Sequence, residues 1–328
     1  MPIVYIHGVA VRDEDEVLAR AIRQFGEVPW TTIEQHLRTH VAPAISDDPG
    51  GVPVMRAYWG DLGARFAWGG RSLVSRPEDL RDDAADVVDE AAERLADEPG
   101  ATAETGEADE SGEADESGGK PGLRARGVRR LRSTATAIRR PLEDFVPLFI
   151  GDVMTYVVGR GTSDAPGPII ERVLQQLDAA AFAAASREEP LVVLTHSMGG
   201  QIVYDLVTHF LPRMPEHRGI RIDYWCAAAS QVGLFEELGL FIESDPTCGA
   251  DTGRMAKHPS AEHLGGWWNV WDHADLLSFR AAGIIEGVDD SPFFASGSLA
   301  TDHYRYLANP DFYRALAERV AVSVEKDR

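Results

Sequence analysis

Cysteine is nearly missing from this chain: Cys226 and Cys248 are the two thiols in 328 residues. Two thiols supply no disulfide framework, which favours a reducing compartment. Cys226 lies in an apolar run and reads as a buried free thiol. Long hydrophobic stretches are missing too. With no window of about 18 apolar residues, no spanning helix is expected. Met1–Ile6 already has a strand-like pattern, with no basic leader and no small-residue cleavage site, so the expected location is cytoplasmic. Bases are outnumbered, 32 Lys and Arg against 53 Asp and Glu, for a net charge of −21. Such a field repels phosphate backbones, and nucleic acid is not an expected partner. No His-Glu-x-x-His, no Walker A sequence and no Gly-x-Gly-x-x-Gly after a strand occurs. Cys248, Asp251, His258, Glu262 and His263 match no recognised metal-ligand spacing. No metal and no cofactor is expected, and His258 and His263 read as surface residues of a polar loop.

What is present is the composition of an ordinary globular protein, 44% hydrophobic and 26% charged. Apolar runs at 3–6, 52–59, 191–194, 220–229 and 267–271 read as strands. Helical patterns cover 13–40, 168–185, 199–211 and 310–322. Strands alternating with helices predict an α/β protein whose mostly parallel sheet carries helices on both faces. The core is expected in residues 1–60 and 145–328. Residues 61–144 read as an insertion, a helical cap over the sheet's carboxyl edge. Within it, about 97–122 is an acidic linker that repeats Gly-Glu-Ala-Asp-Glu-Ser at 106–111 and 112–117 and lacks the apolar surface to offset its ordering entropy. The following Arg124–Arg140 stretch holds seven arginines. It offers a peripheral contact to an anionic surface or partner, or pairs with the acidic linker or solvent, the latter being favoured. Phe145–Val158 lines an acyl pocket or lid, or packs the core; the pattern leaves both open.

The most informative segment is Leu191-Val-Val-Leu-Thr-His-Ser-Met-Gly-Gly200, a buried strand running straight into a helix with Ser197 at the corner. So tight a turn strains the backbone and needs small neighbours, and it leaves the serine hydroxyl at the sheet edge before the N–H groups of a helix. Gly199 is one small neighbour. Thr195 stands where glycine is usual, so a slightly displaced helix is expected. The Met198 N–H becomes a candidate oxyanion donor. A plain serine N-cap is the competing reading.

These residues resemble the α/β-hydrolase superfamily, in its lipase and serine-esterase-like branch, over residues 1–60 and 145–320. The resemblance implies an α/β-hydrolase fold lacking the first two strands of larger members. It also implies that the strand ending in His7-Gly8 leads to a second oxyanion donor, the Val9 N–H. Arg12, just beyond, orients this loop or is solvated, with the solvated reading preferred. In the family the order is Ser, acid, His. Asp275, in the loop after the last strand, is preferred over the alternative Asp272, which would then bond its own loop. His303, in a late loop ahead of the terminal helix, is the expected base. The implied activity is hydrolysis of small-molecule or lipid acyl esters through an acyl-enzyme, with a thioesterase or amidase of the same fold as an alternative. A catalytically silent interaction or regulatory protein is the reading from another class. Oligomeric state is not fixed by the sequence.

Overall fold

Ile3-Val-Tyr-Ile6 forms β1, four buried residues whose branched and aromatic side chains suit a strand packed on both faces. It pairs in parallel on both sides. Ile3–Ile6 run against Val54–Ala57 (β2) on one edge and against Val192–Thr195 of β3 (Val192–His196) on the other. β4 (Ile222–Ala228), β5 (Leu264–Trp271) and β6 (Asp289–Pro292) extend the sheet outward, every pairing parallel, in the order β2-β1-β3-β4-β5-β6. The computed structural model describes residues 1–13, 26–68, 146–293 and 302–326. The chain divides into two units, Met1–Arg65 with Phe145–Arg328, and Phe66–Asp144. All that follows concerns the first unit. The acidic linker, the Arg124–Arg140 stretch and residues 14–25 lie outside the described residues.

The helices are α1 (Trp30–His36, continued by a π-helical turn Leu37–Val41 and by Ala42–Ile45), α2 (described over 146–159) and α3 (Pro168–Arg187). Further along come α4 (Gly199–Asp205, continued through Leu206–Phe210 to Leu211–Arg213), α5 (Val232–Glu237), α6 (Asp302–Ala308) and α7 (Pro310–Lys326). Alternate strand residues point to opposite faces. On one face Ile3, Tyr5, Val192, Leu194, Cys226, Trp268 and Val270 form a core with Ile33, Leu37 and Val41 of α1 and Phe312, Tyr313, Leu316 and Val320 of α7. On the other, Val4, Ile6, Val193 and Trp225 are equally buried, and α3 and α4 pack against β1, β2 and β3. The sheet is therefore covered on both sides, as all-parallel sheets require. Among the described residues no helix is long and apolar enough to cross a membrane.

Two of the elements that differ from the sequence expectation bear on the site and the sheet edge. β6 is a sixth strand, built from Asp-Asp-Ser-Pro, with none of the alternation that marks a strand. His303 lies in the first turn of the short helix α6, not in a loop.

The strand order has one chemical consequence. From β1 the chain moves outward to β2, then returns to the opposite side of β1 to lay down β3. Connections leaving the carboxyl ends of β1 and β3 therefore diverge, opening a crevice at the reversal point, the usual ligand position in open α/β sheets. His7-Gly8-Val9 follows β1, and Ser197 follows β3.

Candidate active site

Ser197 occupies the single residue between β3 and the N-cap Met198 of α4, at φ +51°. A non-glycine residue in this left-handed region stores strain. The turn is held by the Ser197 N–H on the Ala228 carbonyl at 2.9 Å and by the Gly200 N–H on the Ser197 carbonyl at 2.9 Å. Close approach explains the glycines. A Cβ on Gly199 would lie 2.5 Å from the Ile6 carbonyl oxygen, and one on Gly200 would lie 2.7 Å from Ser230 Oγ. Thr195, in the position where glycine is usual, is fully buried and satisfied: its hydroxyl accepts from the Trp225 indole at 2.9 Å and donates to the Cys226 carbonyl at 3.4 Å.

The loop after β1 reaches the same point. A Cβ on Gly8 would stand 2.6 Å from Ser197 Cβ and 3.2 Å from Ser197 Oγ, so only glycine fits against the serine. The backbone N–H groups of Val9 and Met198, both in buried residues, donate to no protein acceptor among the described residues. Arg12 is buried against Asp152 of α2, at 2.5 Å. The solvated reading of Arg12 is thus replaced by a buried ion pair; the loop folds back over it. His263 likewise is buried, not on the surface as expected.

Asp275 and His303 are brought together. His303 Nδ1 lies 3.0 Å from both carboxylate oxygens of Asp275, and both residues are buried. Since a carboxylate only accepts, Nδ1 is the donor in this contact. The other ring nitrogen, Nε2, is buried and has no hydrogen-bond partner among the described residues. Asp275 also accepts from the Leu277 N–H at 2.9 Å and the Tyr306 hydroxyl at 3.3 Å. Burial alone would raise the Asp275 carboxyl, but His303 and the Leu277 N–H outweigh it, and its pKa lies below the usual carboxylate value. Asp272 takes no part in this contact; its Oδ1 accepts the Ala274 N–H at 3.0 Å.

Ser197 and His303 are not joined by a hydrogen bond. The serine hydroxyl instead accepts from Gln231 Nε2 at 3.4 Å, an amide also engaged with the Ala229 carbonyl at 2.8 Å. The residue that connects the two loops is His196. Its Nε2–H donates to the His303 carbonyl at 2.7 Å, and its ring packs 4.7 Å from the His303 ring and 5.0 Å from Tyr304. Burial, with His303 beside it, pushes the His196 pKa down to about 3, so this ring is a neutral donor. His196, just before Ser197, thus ties β3 to α6, and Gly199, two residues after it, lies against the end of β1.

Asp152, Gln231, Tyr306 and Trp59 were not singled out from the sequence. Asp152 alone left a trace, as the one acid inside the apolar run 145–158. Among the described residues no three His, Cys, Asp or Glu side chains are grouped to hold a metal ion. Comparison of the chain with protein-family models, with curated proteins and with solved structures finds no match.

Proposed function

We propose that this chain is a serine hydrolase of the α/β-hydrolase fold, cleaving carboxylic esters, lipid esters included, through an acyl-enzyme. The observation that carries the reading is a left-handed serine at the sheet's reversal point together with a buried imidazole, packed against the adjacent His196, whose outer nitrogen has no partner among the described residues and whose inner nitrogen bonds a buried carboxylate. These are the parts of a nucleophile, a base and its orienting acid.

In this mechanism Ser197 Oγ turns from Gln231 toward His303 and attacks the acyl carbonyl, its proton passing to His303 Nε2. Hydrogen bonds between such partners are often long or unmade before substrate binds. Asp275 keeps the proton on Nδ1 and stabilises the imidazolium. The Val9 and Met198 N–H groups stabilise the tetrahedral oxyanion, which collapses as His303 protonates the departing alkoxide. Water, deprotonated by the same nitrogen, then releases the acid and regenerates Ser197. Thioesters and amides would follow the same steps, and kcat/KM across matched acyl donors ranks the three.

The test is covalent labelling by a fluorophosphonate. Wild-type protein should label, and Ser197→Ala and His303→Ala should not. Labelling that survives Ser197→Ala, or a wild type that never labels, overturns the assignment. The latter outcome would favour the silent interaction protein, with which the Gln231-held hydroxyl agrees.

A further inference from the structure

The loop leaving β1 must reverse within a few residues, and it does so without glycine at the left-handed position: Ala10 has φ +63°. Two buried groups hold it there, one on each side of Val9. On the near side, His7 Nδ1 lies 2.7 Å from the Gly8 carbonyl oxygen, while its Nε2 accepts the Trp59 N–H at 2.9 Å. Because Nε2 is an acceptor, Nδ1 is the donor. The ring is stacked on Trp59 at 4.9 Å, and the Trp59 indole N–H returns a bond to the His7 carbonyl at 3.0 Å. The ring stays neutral, since burial holds its pKa well below the usual histidine value.

On the far side, Asp152 projects from α2 and is 0% exposed. One carboxylate oxygen takes the Ala10 N–H at 2.7 Å; the other takes the Arg12 guanidinium at 2.5 Å and the Ala64 N–H at 2.7 Å. Arg12 also donates to the Val11 and Ala64 carbonyls, each at 3.1 Å. A Cβ on Gly63 would lie 2.5 Å from both Asp152 Oδ1 and the Arg12 guanidinium, so the pair is closely walled.

The Gly8 carbonyl and the Val9 N–H belong to one peptide plane, and the Ala10 N–H belongs to the next. Fixing the first plane at its oxygen and the second at its nitrogen fixes the backbone at Val9 from both ends. The N–H left over, between the two clamps, is the one without an acceptor among the described residues. We infer that His7 and Asp152 are positioning residues that pre-set the Val9 N–H toward the Ser197 crevice, so that it meets the oxyanion without reorganisation. The inference rests on the ester-hydrolase reading above. It adds that a carboxylate on α2, about 140 residues away in sequence and outside the Ser–His–Asp set, tunes the reaction through the backbone.

The experiment compares wild type with Asp152→Asn and His7→Phe, using full-length protein. It measures kcat, KM, the thermal midpoint and the inhibition constant of butylboronic acid, which forms a tetrahedral adduct on a reactive serine. Loss of one oxyanion donor costs on the order of 10²–10³ in rate, so a misplaced one should lower kcat by about 10–100-fold. KM should stay within about twofold, because the interaction is made only in the transition state. Boronate affinity should fall in step with kcat/KM. If Asp152→Asn does not fold, Arg12→Lys replaces it, keeping the cation but losing the bonds to the Val11 and Ala64 carbonyls. Unchanged kcat and boronate affinity in the folded variants overturns the clamp and leaves the hydrolase reading standing. A wild type with no Ser197-dependent turnover or labelling overturns the hydrolase reading itself, and the clamp with it.

Discussion

At the scale of single residues, Ser197, Ala10 and Ala229 all hold left-handed backbone without being glycine, at φ +51°, +63° and +51°. All three follow the carboxyl ends of neighbouring strands, β3, β1 and β4. Each such residue costs roughly 1–3 kcal/mol, strain of a kind that concentrates at functional sites. A direct consequence can be measured. Ser197→Gly should unfold at higher urea, gaining about 1 kcal/mol from relief of the left-handed penalty, and under the proposed ester-hydrolase mechanism it should lose all turnover. A loss of stability in that variant would mean the elbow is unstrained. The strand-to-helix corner at Ser197 was legible because strand, His-Ser-Met-Gly-Gly and helix are contiguous. Sequence reasoning took the pairing of Asp275 with His303 from the family resemblance, and the two side chains are in contact. It misjudged Arg12, because nothing local reveals that a carboxylate from residue 152 lies against it. Gln231 leaves no trace at all, since its role comes from the fold bringing β3 and β4 side by side.

Helices and strands carry a second set of constraints. Leu148, Asp152 and Tyr156 recur at four-residue spacing on the buried face of α2, while Val146, Ile150, Met154 and Val158 repeat the same spacing on its exposed face. The helix is apolar on its outside and polar at two points inside, the reverse of a simple amphipathic pattern. That inversion is why the run 145–158 was ambiguous in sequence. Its second polar anchor is Asp205 of α4, buried and bonded to the Tyr156 hydroxyl at 2.7 Å, Arg160 at 2.9 Å and the Ile242 N–H at 3.2 Å. Tyr156→Phe removes one donor from a buried carboxylate and should cost about 1–3 kcal/mol, read from urea midpoints; a neutral substitution would show that Arg160 and the Ile242 N–H satisfy Asp205 without it. Strands β1 to β5 were legible as apolar runs, with ends displaced by up to a few residues. β6 was not, because Asp289–Pro292 joins its parallel ladder with polar residues whose side chains bond the neighbouring strand: the Trp268 indole donates to Ser291 Oγ at 2.7 Å and Asn269 to Asp290 at 2.8 Å. A four-residue edge strand defined by its partner has no pattern of its own.

For the whole molecule, the two buried neutral histidines set how it responds to acid. His196 has its pKa lowered to about 3 and His7 lies well below its usual value, both by burial. In the unfolded chain both would titrate near 6.5. Below that pH the unfolded state binds protons that the folded state refuses, so stability must fall as pH falls. The slope approaches about 1.4 kcal/mol per pH unit for each histidine. Asp205 and Glu236, whose pKa values burial raises, act in the opposite sense. The contribution of each histidine begins near pH 6.5 and grows as pH falls. Urea unfolding at pH 7, 6, 5.5 and 5 should show this decline, and His196→Asn, which retains a donor for the His303 carbonyl, should remove about one proton from the slope. Identical slopes for the two proteins would show that His196 is protonated in the fold.

The position of β1 in the sheet has a consequence for biosynthesis. The partner of this strand, β3, is translated about 190 residues after it. At typical translation rates of roughly 5–20 residues per second the interval is on the order of 10–40 s. Throughout it, an Ile-Val-Tyr-Ile segment can pair with β2 on one side only, and its other edge stays unpaired. The nascent polypeptide is thus open to misassociation while that edge awaits β3, and holding it apart is a task for the chaperones that meet the emerging chain.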